Sequence, residues 1–533
     1  MRPTSLTIIR IVSFSMILSL TIIGCSNPGS NPILNSMNNR SGELFAGSFP
    51  ILGSPANPAF SVDLATAVRG KGWAGLIGEP AEIHGHTWTA AVSQRLADGW
   101  TIIDDPTLLS FRWLYEKVEA TINDPQEYPE LEIDPGLGEN YRTPHVDAIS
   151  HWQLVPYTLY NEVAICYRYR DTQHGDTDIG VTRLRFDHTE LWPEEGLQGV
   201  YELVEHYSVP DPVIDDVEYQ SLDFFPDIAY DPDTADIYLV WTRQMDYLGD
   251  PEQYMVHWMK FDRNDPNSDM DGHWVITDDP ANDPQPLAQR NTHNGWTPRV
   301  DVGTTHGVTA PQISQGRNVV LAYTTQYANG HNGFHPAVIG WPVTNEVESI
   351  TSYELQLLDP TYGLESSGLP IVDISPETNP GNGYIAVTFM QDQVIGVQGN
   401  EYHITLWNSI NPEEYNYFGL LGESIYPTVA IHSESAQQTD NVVSLSYFSR
   451  DIFHALVPIA QQFNITTHEV GQLTLITGGA NGVWVLEEIL AFQWGMNCSI
   501  SVLDDQRYWL AWSDTAGHTG YPRECWATIG FTE

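Results

Sequence analysis

The sequence predicts an all-β chain folded as a β-propeller, on three observations. After residue 123 long helical periodicity is scarce, and short runs rich in Val, Ile, Tyr and Trp recur between Gly, Asn and Asp-Pro turns. Six groups of these runs keep the same strand order. A unit of a few short strands buries its faces only against neighbouring units, and a ring of blades meets that need.

The unit opens with proline followed by an aliphatic strand: Pro144-His145-Val146-Asp147, Pro226-Asp227-Ile228-Ala229, Pro298-Arg299-Val300-Asp301, Pro370-Ile371-Val372-Asp373 and Pro427-Thr428-Val429-Ala430. The sixth copy departs, with Cys498-Ser499-Ile500-Ser501. A second strand ends on an aromatic each time, in EVAICYRY, DIYLVWTR, NVVLAYTT, YIAVTFMQ, VVSLSYFS and RYWLAWSD. A third strand follows a polar loop, in DIGVTRLRF, QYMVHWMKF, HPAVIGWPV, EYHITLWNS, FHALVPI and ECWATIGF. The openings lie 82, 72, 72, 57 and 71 residues apart, a spacing too regular for an unrelated series of strands. Ten Asp-Pro dipeptides punctuate the chain, each a place where proline withholds a ladder hydrogen bond.

The last copy stops at its third strand. Asp98-Gly99-Trp100-Thr101-Ile102-Ile103-Asp104-Asp105-Pro106 matches the fourth-strand segment Asp271-Gly272-His273-Trp274-Val275-Ile276-Thr277-Asp278-Asp279-Pro280. Residues 99–105 are therefore expected to close the sixth blade and remove its open edge. The competing count is seven, with 58–106 a blade of its own and Thr87 to Arg95 one of its strands. Residues 107–140 read as an insertion, with TLLSFRWLYEKVEATI its helical part.

The N-terminus reads as an address. Arg2 and Arg10 precede an uncharged run, Ile11 to Ile23, too short to span about 30 Å of hydrocarbon at 1.5 Å per residue. The run ends in Ile22-Ile23-Gly24-Cys25, which resembles the signal of bacterial lipoproteins. The resemblance implies removal of residues 1–24, a lipid on Cys25 and a place in the cell envelope, in the outer membrane if the cell has one. Residues 25–57 are rich in Ser, Asn, Gly and Pro and are expected to be a flexible tether, with 58–533 the propeller.

The chain has 533 residues, with 22 Lys and Arg against 69 Asp and Glu and a net charge of −47. Only Lys71, Lys117 and Lys260 are lysines, so the charge comes from missing bases and not from acidic runs. Nucleic acid is excluded as a partner, because its phosphates need Lys and Arg to neutralise them. Of the four cysteines, Cys498 and Cys525 fall in the last unit on strands expected to be neighbours and form a disulfide candidate. Cys166, inside an apolar run, is expected to be a buried thiol.

In its Pro-x-aliphatic openings and aliphatic-aromatic second strands, the repeat resembles the broad sialidase-like group of propellers. The resemblance covers most of 140–533. That group's Asp-box has no match; the nearest segment, Ser268-Asp269-Met270-Asp271-Gly272-His273-Trp274, lies at the corresponding hairpin with different spacing.

In a propeller the fourth-to-first and second-to-third loops gather on one face, where function commonly sits. Arginine is scarce here, yet Arg142, Arg170, Arg243, Arg290, Arg299 and Arg450 all fall on that face, with His145, Tyr141 and Trp296. Guanidinium forks match carboxylate and sulfate, so this face is a candidate site for a small anionic or carbohydrate ligand, or for a protein partner. The competing account is that these arginines pair with neighbouring aspartates and hold blades together. Asp147, Asp301 and Asp373 recur at one repeat position, which favours a structural role for them. Two further readings stand beside ligand binding: a propeller glycoside hydrolase or lyase acting on acidic sugars, and a structural surface scaffold. No organic cofactor is expected. Asn267, Asp269, Asp271 and Asp278 imitate part of a calcium loop without its bidentate Glu, and calcium is the one cation this pattern admits.

Overall fold

The computed structural model is all-β, with 29 strands among the described residues between Phe49 and Phe531. The described residues are these strands, the turns 231–236 and 409–414, and the flanking residues 209–211, 263, 343, 383–384 and 465. Among them no helix is long and apolar enough to cross a membrane.

The chain begins with β1 (Phe49–Gly53), then forms sheet 1 from β2 (Ala59–Ala67), β3 (His86–Arg95) and β4 (Gly99–Ile102). Sheet 2 holds β5 (His145–Leu154), β6 (Tyr157–Arg170), β7 (Thr177–Asp187) and β8 (Tyr201–Ser208). A small hairpin, β9 (Val213–Ile214) and β10 (Val217–Glu218), leads to sheet 3: β11 (Ser221–Tyr230), β12 (Ile237–Met245), β13 (Tyr254–Asp262) and β14 (His273–Val275). One parallel bridge, Leu222 to Thr177, joins sheets 2 and 3. Sheet 4 is β15 (Gly295–Val308), β16 (Ile313–Gln326), β17 (Phe334–Pro342) and β18 (Tyr353–Glu354). Sheet 5 is β19 (Val372–Pro376), β20 (Ile385–Gln393), β21 (Glu401–Asn408) and β22 (Tyr415–Phe418). Sheet 6 is β23 (Ser424–His432), β24 (Val442–Arg450), β25 (Leu456–Asn464) and β26 (Thr474–Leu475). Sheet 7 is β27 (Cys498–Val502), β28 (Arg507–Asp514) and β29 (Glu524–Phe531), with β1 as its fourth strand.

The first strands pack in succession: β2 on β5, β5 on β11, then β15, β19, β23 and β27, with β27 returning to β2. The apolar clusters lie between sheets. Trp241, Leu239 and Ile237 of sheet 3 pack with Ile179 and Cys166 of sheet 2, and Tyr323 and Trp341 of sheet 4 pack with Tyr238 and Trp258 of sheet 3. Trp407 and Phe389 of sheet 5 join Ile313 of sheet 4, and Tyr447 and Phe463 of sheet 6 join Tyr384 of sheet 5. Sheets 2 to 6 thus bury apolar faces against one another in succession, as the repeat required.

The repeat's proline and its second-strand aromatic prove to be two halves of one device. In β11, Phe224 pairs with Thr242 and Asp227 with Val240, so Phe225 and Pro226 together stand opposite Trp241. Thr297 and Pro298 stand opposite Tyr323 in the same way, and Tyr426 and Pro427 opposite Tyr447. The residue before each proline has positive φ: Phe225 at 50°, Thr297 at 46° and Tyr426 at 55°. This is a β-bulge, and proline fits it because an extra residue has no ladder hydrogen bond to donate. All six second-strand aromatics (Tyr167, Trp241, Tyr323, Phe389, Tyr447 and Trp512) are buried.

Asp231-Pro232 shows how an Asp-Pro turn is spent. Asp231 Oδ1 accepts from the Asp233 N–H at 2.9 Å, and the Asp231 N–H donates to the Asp236 carbonyl at 2.8 Å, turning β11 into β12. Arg317 Nη2 of sheet 4 then pairs with Asp231 at 2.6 Å.

Three expectations change. Gly99–Ile102 pairs with β3 inside sheet 1, and not with the last sheet. The strand completing sheet 7 is Phe49–Gly53, with Phe49 opposite Ala527 and Gly53 opposite Glu524. The fourth-strand likeness of residues 98–106 misled because that segment does follow a hairpin at a sheet edge, but its partner was already at hand in His86–Arg95. The strand at 49–53 also lies within the segment expected to be tether. Third, Cys498 is a buried free thiol opposite Trp512 of β28, while Cys525 of β29 stands opposite Ser513. With β28 between them, their strands are about two spacings of 4.8 Å apart, beyond disulfide reach. Cys166 is buried and free, as expected.

A chain starting at residue 54 lacks β1 and leaves the β29 edge open, whereas one starting at residue 41 keeps it. We expect the shorter chain to melt at a lower temperature and to scatter more light on heating, and the longer one to match the full chain. Equal melting of the two would show that β1 contributes nothing to sheet 7.

Candidate functional site

In β11, β15 and β23 the bulge is followed by Asp227, Arg299 and Thr428. The residue after the repeat proline is His145 in the first unit and Ile371 in the fourth, and Ser499 holds the place in the last unit, which lacks the proline. Sheet 1 supplies Asp63 from β2, which has its own register shift between Phe60 and Val62. Five of these positions, from consecutive sheets, meet. Ser499 Oγ donates to Asp63 Oδ1 at 2.6 Å, and His145 Nδ1 lies 3.1 Å from Asp63 Oδ2 and 3.4 Å from Asp227 Oδ1. Arg299 Nη1 lies 2.5 Å from His145 Nε2 and 3.7 Å from Asp227 Oδ1. The order around the cluster is Ser499, Asp63, His145, Asp227, Arg299.

Arg299 has only donors, and its Nη1 lies 3.0 Å from Nδ1 as well as 2.5 Å from Nε2, so the ring is shared between the guanidinium and the two carboxylates. The carboxylates are fixed from behind. Asp63 Oδ2 also accepts the Val146 N–H at 2.9 Å, and Asp227 Oδ2 accepts the Val300 N–H at 2.8 Å. Each therefore clasps the next sheet's first strand while presenting its charge to the cluster. Asp147, two residues beyond His145, does likewise, taking the Tyr230 N–H at 2.7 Å and the Ala148 N–H at 2.8 Å. The structural role that recurrence suggested for Asp147 is its observed one.

The cluster's charges are unevenly held. Burial pushes Asp147 up to about 7, opposed by the Tyr230 and Ala148 N–H groups and reinforced by repulsion from Asp227 and Asp63. Burial also raises Asp227, against the pull of His145 and Arg299. Asp63 feels the same burial, but His145, Ser499 and the Val146 N–H outweigh it and hold the carboxyl below its ordinary value. The Arg299 side chain is 23% exposed and that of His145 only 7%, so the guanidinium is the group of this pair that solvent reaches.

Of the arginines expected on the loop face, Arg299 joins the cluster and Arg243 does not. Arg243 is buried, gripping Asp223 through Nε and Nη2, both at 2.7 Å, with Nη2 also on the Pro210 carbonyl at 3.0 Å. Asp223 and Arg243 are register partners within sheet 3, so the pair is structural but joins strands of one sheet and not two blades. Trp296 is half-buried against Tyr254. Arg170 ends β6 with its backbone opposite Thr177, and Arg450 ends β24 opposite Leu456; the side chains of both lie outside the described residues. Arg142, Cys25 and the calcium candidates Asn267, Asp269, Asp271 and Asp278 also lie outside them. Among the described residues no group of three or more His, Cys, Asp or Glu is placed to hold a metal ion.

Sequence reasoning missed Asp63 and Ser499. Val62-Asp63-Leu64-Ala65 repeats the alternation of the openings without their proline, and Ser499 sits in the copy that departs. Arg168 was also missed: it is buried, reaches Thr177 Oγ1 at 3.2 Å and lies 4.3 Å over the Phe224 ring.

The chain matches no family model and no curated protein. Among solved structures it is similar to the NanB sialidase of Streptococcus pneumoniae (7% identity over 90% of this chain and 94% of that one, TM-score 0.37). It is similar to the polysaccharide lyase Uly1 (10% identity, 96% and 94%, TM-score 0.37). It is also similar to a GH43 β-xylosidase/α-arabinofuranosidase from a compost metagenome, solved in a calcium-free form (13% identity, 60% and 93%, TM-score 0.28). At these scores the likeness does not carry over to ligand or activity.

A carboxyl raised in the folded state binds a proton that the unfolded chain has already lost. Asp147 therefore makes stability fall as pH rises from its ordinary 3.8 to about 7. In Asp147→Asn we expect a flatter dependence of denaturation midpoint on pH across that window, whatever the variant's stability at low pH. An unchanged slope would show that Asp147 titrates normally.

Proposed function

We propose that the seven sheets are the blades of a propeller, closed where β27 meets β2 and sealed by β1, and that it binds a small acidic carbohydrate at the first-strand cluster. The observation that carries the ligand reading is Arg299: the cation of the cluster, 23% exposed, beside the His145 ring and paired with Asp227 at 3.7 Å. A guanidinium so placed can turn its remaining donors to a ligand carboxylate or sulfate, gaining a charge-assisted pair. The surrounding charge of −47 keeps large polyanions away and leaves compact anions as ligands.

A second reading, hydrolysis or elimination on the same acidic sugar, is favoured by His145. Its Nδ1 lies 3.1 and 3.4 Å from two carboxylate oxygens, which orient the ring as a general base requires. One experiment separates the readings. The folded body, residues 41–533, is incubated with uronate-, sialate- and sulfate-bearing glycans, and retention and released products are measured together. We expect retention that Arg299→Ala weakens by tenfold or more, about 1.4 kcal/mol. Product formed by the parent and lost in His145→Asn would establish the enzyme. Neither retention nor product across the panel would overturn both and leave a scaffold with a protein partner.

The envelope location belongs to the same proposal. We expect the full chain to be recovered with membranes and to carry acyl chains on Cys25, and a Cys25→Ala chain to lose that lipid. A Cys25→Ala chain that keeps its lipid mass would overturn the anchor.

A further inference from the structure

We infer that the site takes its acidic sugar as part of an oligosaccharide with neutral neighbours, and that Phe224, Tyr254 and Trp296 form the surface those neutral sugars lie against. The inference rests on the acidic-sugar reading of Arg299 and extends it.

Three half-buried rings run from sheet 3 to sheet 4. Trp296 and Tyr254 lie 5.1 Å apart between centroids at 38°, and Tyr254 meets Phe224 edge-on at 6.3 Å. Phe225 continues the row 6.2 Å from Phe224. The row is continuous with the cluster twice over. In β15 only the bulge Thr297-Pro298 separates Trp296 from Arg299, and in β11 only the bulge Phe225-Pro226 separates Phe224 from Asp227. A ligand group held by Arg299 therefore has aromatic surface within a few residues' length along two adjoining strands.

The chemistry of that surface selects the neighbours. A pyranose offers an apolar C–H face and a polar rim, which suits half-exposed rings bordered by polar groups. A second acidic sugar would lie over these rings, where among the described residues Arg168, stacked on Phe224, and Arg243, on the paired strand, are 5% and 1% exposed and committed to Thr177, Phe224 and Asp223. It would also meet the field of a strongly acidic chain. Neutral sugars escape both costs.

The test measures dissociation constants for glucuronate-substituted xylotriose and sialyllactose, for free glucuronate and sialate, for xylotriose and lactose, and for tetragalacturonate. We expect at least one singly acidic oligosaccharide to bind tenfold or more tightly than its own free acid, and tetragalacturonate to bind less tightly than it. Trp296→Ala and Tyr254→Ala should collapse that tenfold ratio. Trp296→Phe, which keeps a ring, should preserve most of it, and melting midpoints check that each variant is folded. Tight binding of tetragalacturonate, or a ratio that survives both alanine variants, would overturn the inference. Free acids bound without any gain from the neutral sugars would overturn it while leaving the acidic-sugar reading intact. A parent chain that retains no acidic probe would overturn both.

Discussion

Two residues of a bulged first strand stand opposite one buried aromatic of the second strand, and the placing of Asp227 and Arg299 in the cluster follows from that mismatch. A β-strand alternates its side chains between faces, so one extra residue changes which side chain is presented where. Trp241, Tyr323 and Tyr447 fill the space beneath the bulges. The bulge also fixes a costly backbone: a non-glycine residue at positive φ is held at each, including β-branched Thr297. Proline next to it removes a donor that would otherwise be left unpaired. The aromatic contributes burial, the proline contributes a missing N–H, and the product is a side chain turned toward the neighbouring sheet.

What those positions hold differs from sheet to sheet, and the difference is what makes a site out of a repeat. Asp63 and Asp227 use one oxygen on the backbone of the following sheet and keep charge for the cluster. They belong to the scaffold and to the site at once. Because their backs are bonded to main chain, the two carboxylates are fixed in place, and Arg299 is the more exposed member of its pair with His145. On the proposed anion reading, fixed carboxylates around one guanidinium repel any anion that does not engage it.

The fold was largely legible because it is written in a repeat. Pro-x-aliphatic openings and aromatic-ended second strands named six of the first strands and all six buried aromatics. What failed was closure, for a physical reason. A closing strand contributes only hydrogen bonding to an edge, so Phe-Pro-Ile-Leu-Gly at 49–53 has little of its own to mark it, whereas Gly99-Trp100-Thr101-Ile102 looks like the strand it resembles. The cysteine pairing failed because a third strand was needed to see that β28 separates the two. At the site, Arg299, His145 and Asp227 were readable as repeat positions next to proline. Asp63 was not, since its strand lacks the proline, and Arg243 was misassigned because its buried partner Asp223 lies in another strand twenty residues away.

Arg299 and His145 meet at close range inside an acidic cluster. Nη1 lies 2.5 Å from Nε2 and 3.0 Å from Nδ1, and Nδ1 also lies 3.1 and 3.4 Å from the two carboxylates. Four side chains from four successive sheets thus share one small volume, each placed there by its own first strand. Removing any one of them would leave the charges of the others without their counterpart, so a site assembled from single positions of successive sheets depends on the packing of those sheets as much as on the residues it uses.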